Sequence, residues 1–173
     1  IYTRKDLLIC FQNNLMPTIS DMKQCIICNE IGKKYKQLFY IHLKIDTGMS
    51  RLGFEVKNFV QYFENIISFE NIIIDGIYSH LSTADALDAS EKNSFANIQR
   101  RTFLKLLADI SINKYPNIKI HLANSAGTLI GNEFHFDMVR VGLCMYGYKP
   151  SQHQINLKLK PAMSLKSKVS FIR

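Results

Sequence analysis

Short apolar runs rich in β-branched and aromatic residues alternate along this chain with longer stretches whose apolar residues recur at helical spacing. Residues 14–19 (NLMPTI) read as a strand, followed by a helix from Asp21. Residues 38–45 (LFYIHLKI) read as the next strand and residues 55–67 as the next helix. Residues 71–78 (NIIIDGIY) form a further strand, and a polar loop over 82–92 leads into an amphipathic helix over 93–112. Residues 118–123 and 136–141 complete the series as strands. Strand–helix alternation predicts parallel strands joined by crossover helices. The continuous apolar runs suit strands covered on both faces. A doubly wound sheet and a closed barrel both satisfy this pattern, but no glycine-rich dinucleotide fingerprint follows a strand, which disfavours the former. Beyond Tyr148 the texture changes. Residues 158–172 (KLKPAMSLKSKVSFI) alternate in polarity and predict one or two strands of another domain. The chain thus divides into an α/β domain over 1–148 and, over 149–173, a linker with the first strand or strands of a β domain.

At 173 residues the chain is shorter than the roughly 250 of a full eight-stranded α/β barrel. No apolar run reaches the roughly 18 residues that span a bilayer, and the opening IYTRKDLLICFQ is too polar for a secretion signal. The net charge of +8 comes from scattered residues, without a basic block interleaved with aromatics. That argues against nucleic acid and suits a small anionic ligand. Cys25 and Cys28 have the spacing of a redox or zinc pair, but no second pair completes a zinc site. Residues 20–34 around them read as a helix with Ser20 as N-cap and Gly32 near its end, so both thiols are expected to be buried. Nothing calls for disulfides, and a cytoplasmic location follows.

Polar residues gather just after the strands, at residues 44–51 (KIDTGMSR), 79–85 (SHLSTAD), 124–127 (NSAG) and 140–143 (RVGL). The carboxyl ends of parallel strands are where such folds bind ligands. Ser125, with the backbone of Ala126 and Gly127 and the close approach allowed at Gly142, suits a phosphate; the competing reading makes Asn124 and Ser125 a helix cap. Arg51 and Arg140 offer guanidinium donors that keep their protons; the competing reading pairs each with a carboxylate such as Asp46 or Asp137. His80 can stack on a flat ligand, act as acid or base, or be structural. His121 and Asp85 are conceivable metal co-ligands, but no compact ligand motif appears, so no metal is expected.

Residues 42–54 (HLKIDTGMSRLGF), 75–85 (DGIYSHLSTAD), 121–129 (HLANSAGTL) and 136–151 (FDMVRVGLCMYGYKPS) resemble, in order, the motifs of alanine racemases. Residues 159–169 (LKPAMSLKSKV) resemble the start of that family's C-terminal β domain. The resemblance implies a pyridoxal 5'-phosphate-dependent isomerase that interconverts L- and D-alanine for cell-wall (peptidoglycan) precursor supply. It implies an α/β fold, a partial (β/α)8 TIM barrel of about strands 4–8, leading into the β domain, and a homodimer with active sites at the subunit interface. By motif match, Asn124, Ser125 and the backbone of Gly142 and Leu143 would hold the cofactor phosphate. Arg140 would face the pyridine nitrogen, supported by His121, and His80 would lie against the ring. Arg51 would contact the phenolic oxygen and the substrate carboxylate. Lys44 would match a frequently carbamylated lysine that orients Arg51, and Asp85 would lie toward the substrate channel. The family's Schiff-base lysine motif (Lys-Ala-Asp-Ala-Tyr-Gly type) and its catalytic tyrosine find no match. The expectation is therefore an internal fragment, inactive alone and poorly soluble through open sheet edges. A cofactor-homeostasis barrel protein would lack residues 159–169. A fold-related decarboxylase would place an acid where Arg140 stands. A racemase for another amino acid and a purely structural domain complete the alternatives.

Overall fold

A computed structural model describes residues 2–151 and 158–172. Helix α1 (Arg4–Gln12) opens with a reciprocal cap in which the Thr3 hydroxyl accepts from the Asp6 N–H and the Asp6 carboxylate accepts from the Thr3 N–H. The sequence reading had no helix there. The Thr-x-x-Asp spacing was the available signal. Strand β1 (Thr18–Ile19) is much shorter than residues 14–19. Helix α2 (Met22–Tyr35) is capped by the Asp21 carboxylate, which accepts from the Gln24 N–H, and not by Ser20. It ends at Lys36 in the left-handed conformation, so Gly32 lies inside the helix. Gly32 serves close packing: a Cβ there would sit 2.6 Å from the Asn71 carbonyl oxygen.

Strand β2 (Phe39–Asp46), the short β3 (Phe54–Glu55), helix α3 (Val56–Ile67), strand β4 (Ile72–Tyr78), helix α4 (Phe95–Asp109), strand β5 (Lys119–His121) and helix α5 (Ser125–Ile130) follow. All strand pairings are parallel, in the order β1-β2-β4-β5, with β3 beside β2. Spatial order follows chain order without reversal, as in a (β/α) barrel and unlike a doubly wound sheet. Among the described residues the barrel is partial and unclosed.

The core lies between sheet and helices. Phe39, Ile41, Leu43 and Ile45 of β2 are buried with Phe59, Phe63 and Ile66 of α3 and Phe103, Leu106 and Leu107 of α4. Each such side chain contributes about 1.5–3 kcal/mol by leaving water. The other face of β2 departs from expectation. It carries Tyr40, His42 and Lys44 and is polar. Residues 136–141 do not form a strand. Asp137 and Arg140 each donate one backbone hydrogen bond to β5 carbonyls or their extension, at Ile120 and Ala123 (both 2.9 Å). The Asp137 carboxylate, however, takes the Ile120 N–H at 2.7 Å, which displaces the backbone acceptor a ladder needs. Residues 158–172 also form no strand, and their apolar side chains, such as Leu165 and Phe171, are exposed.

Candidate active site

Arg140 organises the cluster at the strand ends. Its guanidinium donates to the carbonyl oxygens of Ser79 (2.8 Å) and Leu122 (3.2 Å) and to His121 Nδ1 (2.7 Å). It lies 3.4 Å from His80 Nδ1 and 4.7 Å from the centroid of the Tyr78 ring. No carboxylate contacts it among the described residues. Asp137 is spent on the Ile120 N–H and Asp46 on the N–H groups of Gly48 and Ser50, so neither forms the ion pair weighed above. Burial presses the Arg140 pKa down, yet a guanidinium starts so high that it keeps its charge.

The two histidines beside it are held neutral. Burial first, and then the charges of Arg140, Arg51 and Lys44, lower the His80 pKa to about 4. Burial, Arg140 and His42 lower that of His121 to about 3. Because an arginine only donates, His121 Nδ1 must be its acceptor and the ring proton sits on Nε2. His121 also stacks on Tyr78, with centroids 4.6 Å apart and planes 9° from parallel. Tyr78 is in turn anchored by a 2.9 Å hydrogen bond between its hydroxyl and that of Thr18.

Lys44 is buried on the polar face of β2. Burial, and then the nearby Arg51 and Arg140 charges, hold its amine below the ordinary lysine range. Arg51 stands exposed on the loop after β2, close enough to depress both Lys44 and His80. The Ser125 hydroxyl accepts the N–H groups of Gly142 (2.9 Å) and Cys144 (3.4 Å), which joins the α5 start to the 140s loop. Asn124 spends its side chain capping α5 at Gly127 (2.8 Å) and donating to the Leu81 carbonyl (3.1 Å). Leu143 is exposed beside Gly142, and Asp85 is exposed on the turn-rich segment. The structure thus gathers Lys44, Arg51, His80, His121, Ser125, Arg140 and Gly142 at one end of the sheet, with Asp85 farther out on its loop.

Sequence reading missed the residues that hold these loops together. Gln99 of α4 is fully buried and satisfied on every side. Its oxygen accepts from the Ser82 N–H and hydroxyl, and its amide donates to the His80 carbonyl and the Thr47 hydroxyl. Thr47 and Ser79 meet at 2.7 Å, linking the loops after β2 and β4. A lone glutamine on an amphipathic helix gives no warning of this. Its one signal is position, on the same face as the apolar Phe103. Gln99→Glu keeps the shape but cannot donate to the His80 carbonyl. It should lower stability by about 1–3 kcal/mol, read as a drop in melting temperature; an unchanged melt would show that the clamp is dispensable.

The motif order and this geometry agree with comparison to known proteins. Residues 1–150 match the family described as "Alanine racemase, N-terminal domain". The chain belongs to the alanine racemase N-terminal domain family. An alanine racemase of Prochlorococcus marinus is 39% identical over 170 residues, which is 98% of this chain and 44% of that protein. The structure of alanine racemase from Clostridium difficile 630 superposes with a TM-score of 0.84 at 27% identity, covering 94% of this chain and 42% of that one. The alanine racemase of Bartonella henselae, a structure with covalently bound pyridoxal phosphate, superposes with a TM-score of 0.77 at 28% identity, covering 92% and 44%. The chain therefore spans less than half the length of the racemases it matches. The family relation explains the partial barrel and the clustering of its motif residues at the strand ends.

Proposed function

We propose that this chain forms the cofactor-holding part of a pyridoxal 5'-phosphate-dependent alanine racemase that interconverts L- and D-alanine. The observation that carries the reading is Arg140: a partly buried guanidinium with no carboxylate against it among the described residues, held by two carbonyls and a neutral histidine beside His80. Such a donor suits a ring nitrogen that is to stay unprotonated.

The residues fit the cofactor on two further points. A Cβ built on Gly142 would meet no atom within 4 Å, so the space beside the Gly142 N–H and the Ser125 hydroxyl is open to a ligand. Ser125 already accepts two N–H groups, which leaves its hydroxyl hydrogen as the donor to a phosphate oxygen. Ser125, with the loop at Gly142 and Leu143, would hold the phosphate, and Asn124 would fix that corner through its cap. His80 would pack against the ring.

When bound, pyridoxal phosphate supplies an electron sink that acidifies the α-hydrogen of the amino acid attached to it. Arg140 limits that sink, because a group that only donates and scarcely ionises leaves the ring nitrogen without its own proton. Arg51 supplies the charge for the substrate carboxylate and the phenolic oxygen. Lys44, buried beside two arginines, is disposed to lose its proton and add carbon dioxide through its nitrogen, forming a carbamate and releasing the proton. The new negative charge would face Arg51 and orient it. Asp85 would sit toward the substrate channel. The enzyme would work as a homodimer in the cytoplasm, feeding D-alanine to cell-wall synthesis. The reading of residues 149–173 as the lead into a second domain is supported by the last described helical turn, which ends at Tyr146.

Pyridoxal phosphate added to the complete protein should give the visible absorbance of the protein-bound cofactor and D-alanine formation from L-alanine. In 13C-bicarbonate the same preparation should show a carbamate carbon that Lys44→Met removes. No bound-cofactor band would end the functional reading, and no carbamate signal would end the role given to Lys44.

A further inference from the structure

The polar face of the sheet holds a continuous line of contacts that the motifs did not suggest. Arg140 donates to His121 Nδ1 at 2.7 Å, and His121 Nε2 meets His42 Nδ1 at 3.1 Å. His42 Nε2 meets Asp75 Oδ2 at 3.2 Å, and Lys119 Nζ reaches the same oxygen at 3.1 Å. The two ends are chemically fixed: arginine can only donate and an ionised carboxylate can only accept. The protons between them then have one arrangement. His121 donates from Nε2 to His42, and His42 donates from Nε2 to Asp75. The hydrogen bonds from His42 and Lys119 hold the Asp75 carboxyl below its ordinary value, against the opposing effect of burial.

Backbone geometry is built around this line. The β2–β4 register slips between Ile41 and His42, so that His42 pairs with Gly76 and Asp75 is the extra, bulged residue. A Cβ on Gly76 would lie 2.7 Å from the His42 ring. The bulge therefore turns a carboxylate toward the histidine, and the glycine makes room for the ring. Both acidic and imidazole side chains are largely buried, 18% and 16% exposed, while Lys119 is 54% exposed.

We propose that Asp75 is the remote counter-charge of Arg140, acting through His42 and His121 as a positioning residue for the guanidinium. The proposal deepens the reading of Arg140 as partner of the cofactor nitrogen and rests on it. A partly buried cation gains from compensation, and among the described residues the carboxylate connected to Arg140 by hydrogen bonds is this one. Negative charge at the far end raises the acceptor strength of each imidazole toward its neighbour and holds Arg140 in its plane. Lys119 opposes it by sharing the same oxygen.

The test exploits that opposition, in the complete protein with 15N-labelled histidine. The wild type should show both rings with a protonated Nε2 and an unprotonated Nδ1. Asp75→Asn should move the Nε2 protons of His42 and His121 upfield, as their hydrogen bonds weaken, and should weaken pyridoxal phosphate binding about tenfold, the scale of lost outer-sphere partners. Lys119→Met should move the same protons downfield. A merely structural role would not give opposite signs. Unmoved imidazole signals, or shifts of the same sign in both variants, would overturn the proposal. If Asp75→Asn fails to fold, the surface variant Lys119→Met still decides: no downfield shift overturns it. Opposed ring shifts in a protein that never takes up pyridoxal phosphate would support the relay and refute the functional reading instead.

Discussion

Arg140→Glu in the complete protein should cut racemisation by about 10²–10³-fold, the scale on which removal of one preorganised donor acts, and should raise transamination relative to racemisation. The guanidinium gives its hydrogens and never a proton, so a ring nitrogen facing it stays neutral. A carboxylate there would instead accept from a protonated nitrogen. The electron sink that the bound cofactor would supply would deepen, which favours transamination over racemisation. The same change leaves the Ser79 and Leu122 carbonyls without their donor, so the folded fraction must be measured beside the rates. Arg140→Lys restores the charge but not the planar fork that reaches two carbonyls and a histidine at once. It should fall between the two in rate while leaving the product ratio near that of wild type. An unchanged ratio of keto acid to D-alanine in Arg140→Glu would refute the account of Arg140.

Acidification should destabilise the fold through two histidines that the folded chain holds neutral. His80 and His121 have an ordinary value of 6.5 and folded values of about 4 and about 3. A depressed histidine is bound by more protons in the unfolded chain, so stability rises with pH across the window between the folded and unfolded values. It is fully present above pH 6.5 and is lost as pH falls toward 4 and then 3. Each histidine costs at most about 1.4 kcal/mol per pH unit in that window. His80, only half-buried, costs less because water screens its charge. The carboxyls of Asp46 and Asp75, both held below 3.8, begin to add their losses as pH falls past 3.8, at the lower end of the His121 window. Denaturant midpoints taken from pH 7 to 4 should fall steadily, and His121→Gln should flatten the slope. A flat profile in the unsubstituted protein would contradict the burial of neutral imidazoles.

Much of the fold was legible. The residues of β2, α3, β4 and α4 were readable from periodicity to within a few positions, because each has a full apolar face packed on a neighbour. Residues 136–141 do not form the strand their composition suggests, and 158–172 form none in the described chain, for a shared reason. β-Propensity describes what suits a pleated surface and does not provide the surface. At 136–141 a single aspartate replaced a backbone acceptor; among the described residues no strand pairs with 158–172. The strand-end residues of the site were legible as a pattern, since polar groups after apolar runs mark the functional end of such a sheet. Their supports were not. Gln99 acts through four hydrogen bonds that come together only when α4 docks, and His42 sits in a strand where alternation makes it one polar residue among several. The Asp75-Gly76 pair did carry a trace, because an aspartate and a glycine inside an isoleucine-rich strand break its regularity in the way a bulge requires.

Neighbours in the sheet are neighbours in synthesis. Each strand of the β1-β2-β4-β5 series leaves the ribosome after the one it will lie against, so the growing chain can lay down the sheet in one direction without threading back. Arg140 emerges last among the polar groups at its end, and the acceptors that it grips, on Ser79, His121 and Leu122, have all been made before it. Arg140 is thus the residue whose guanidinium ties together partners that all precede it in the chain.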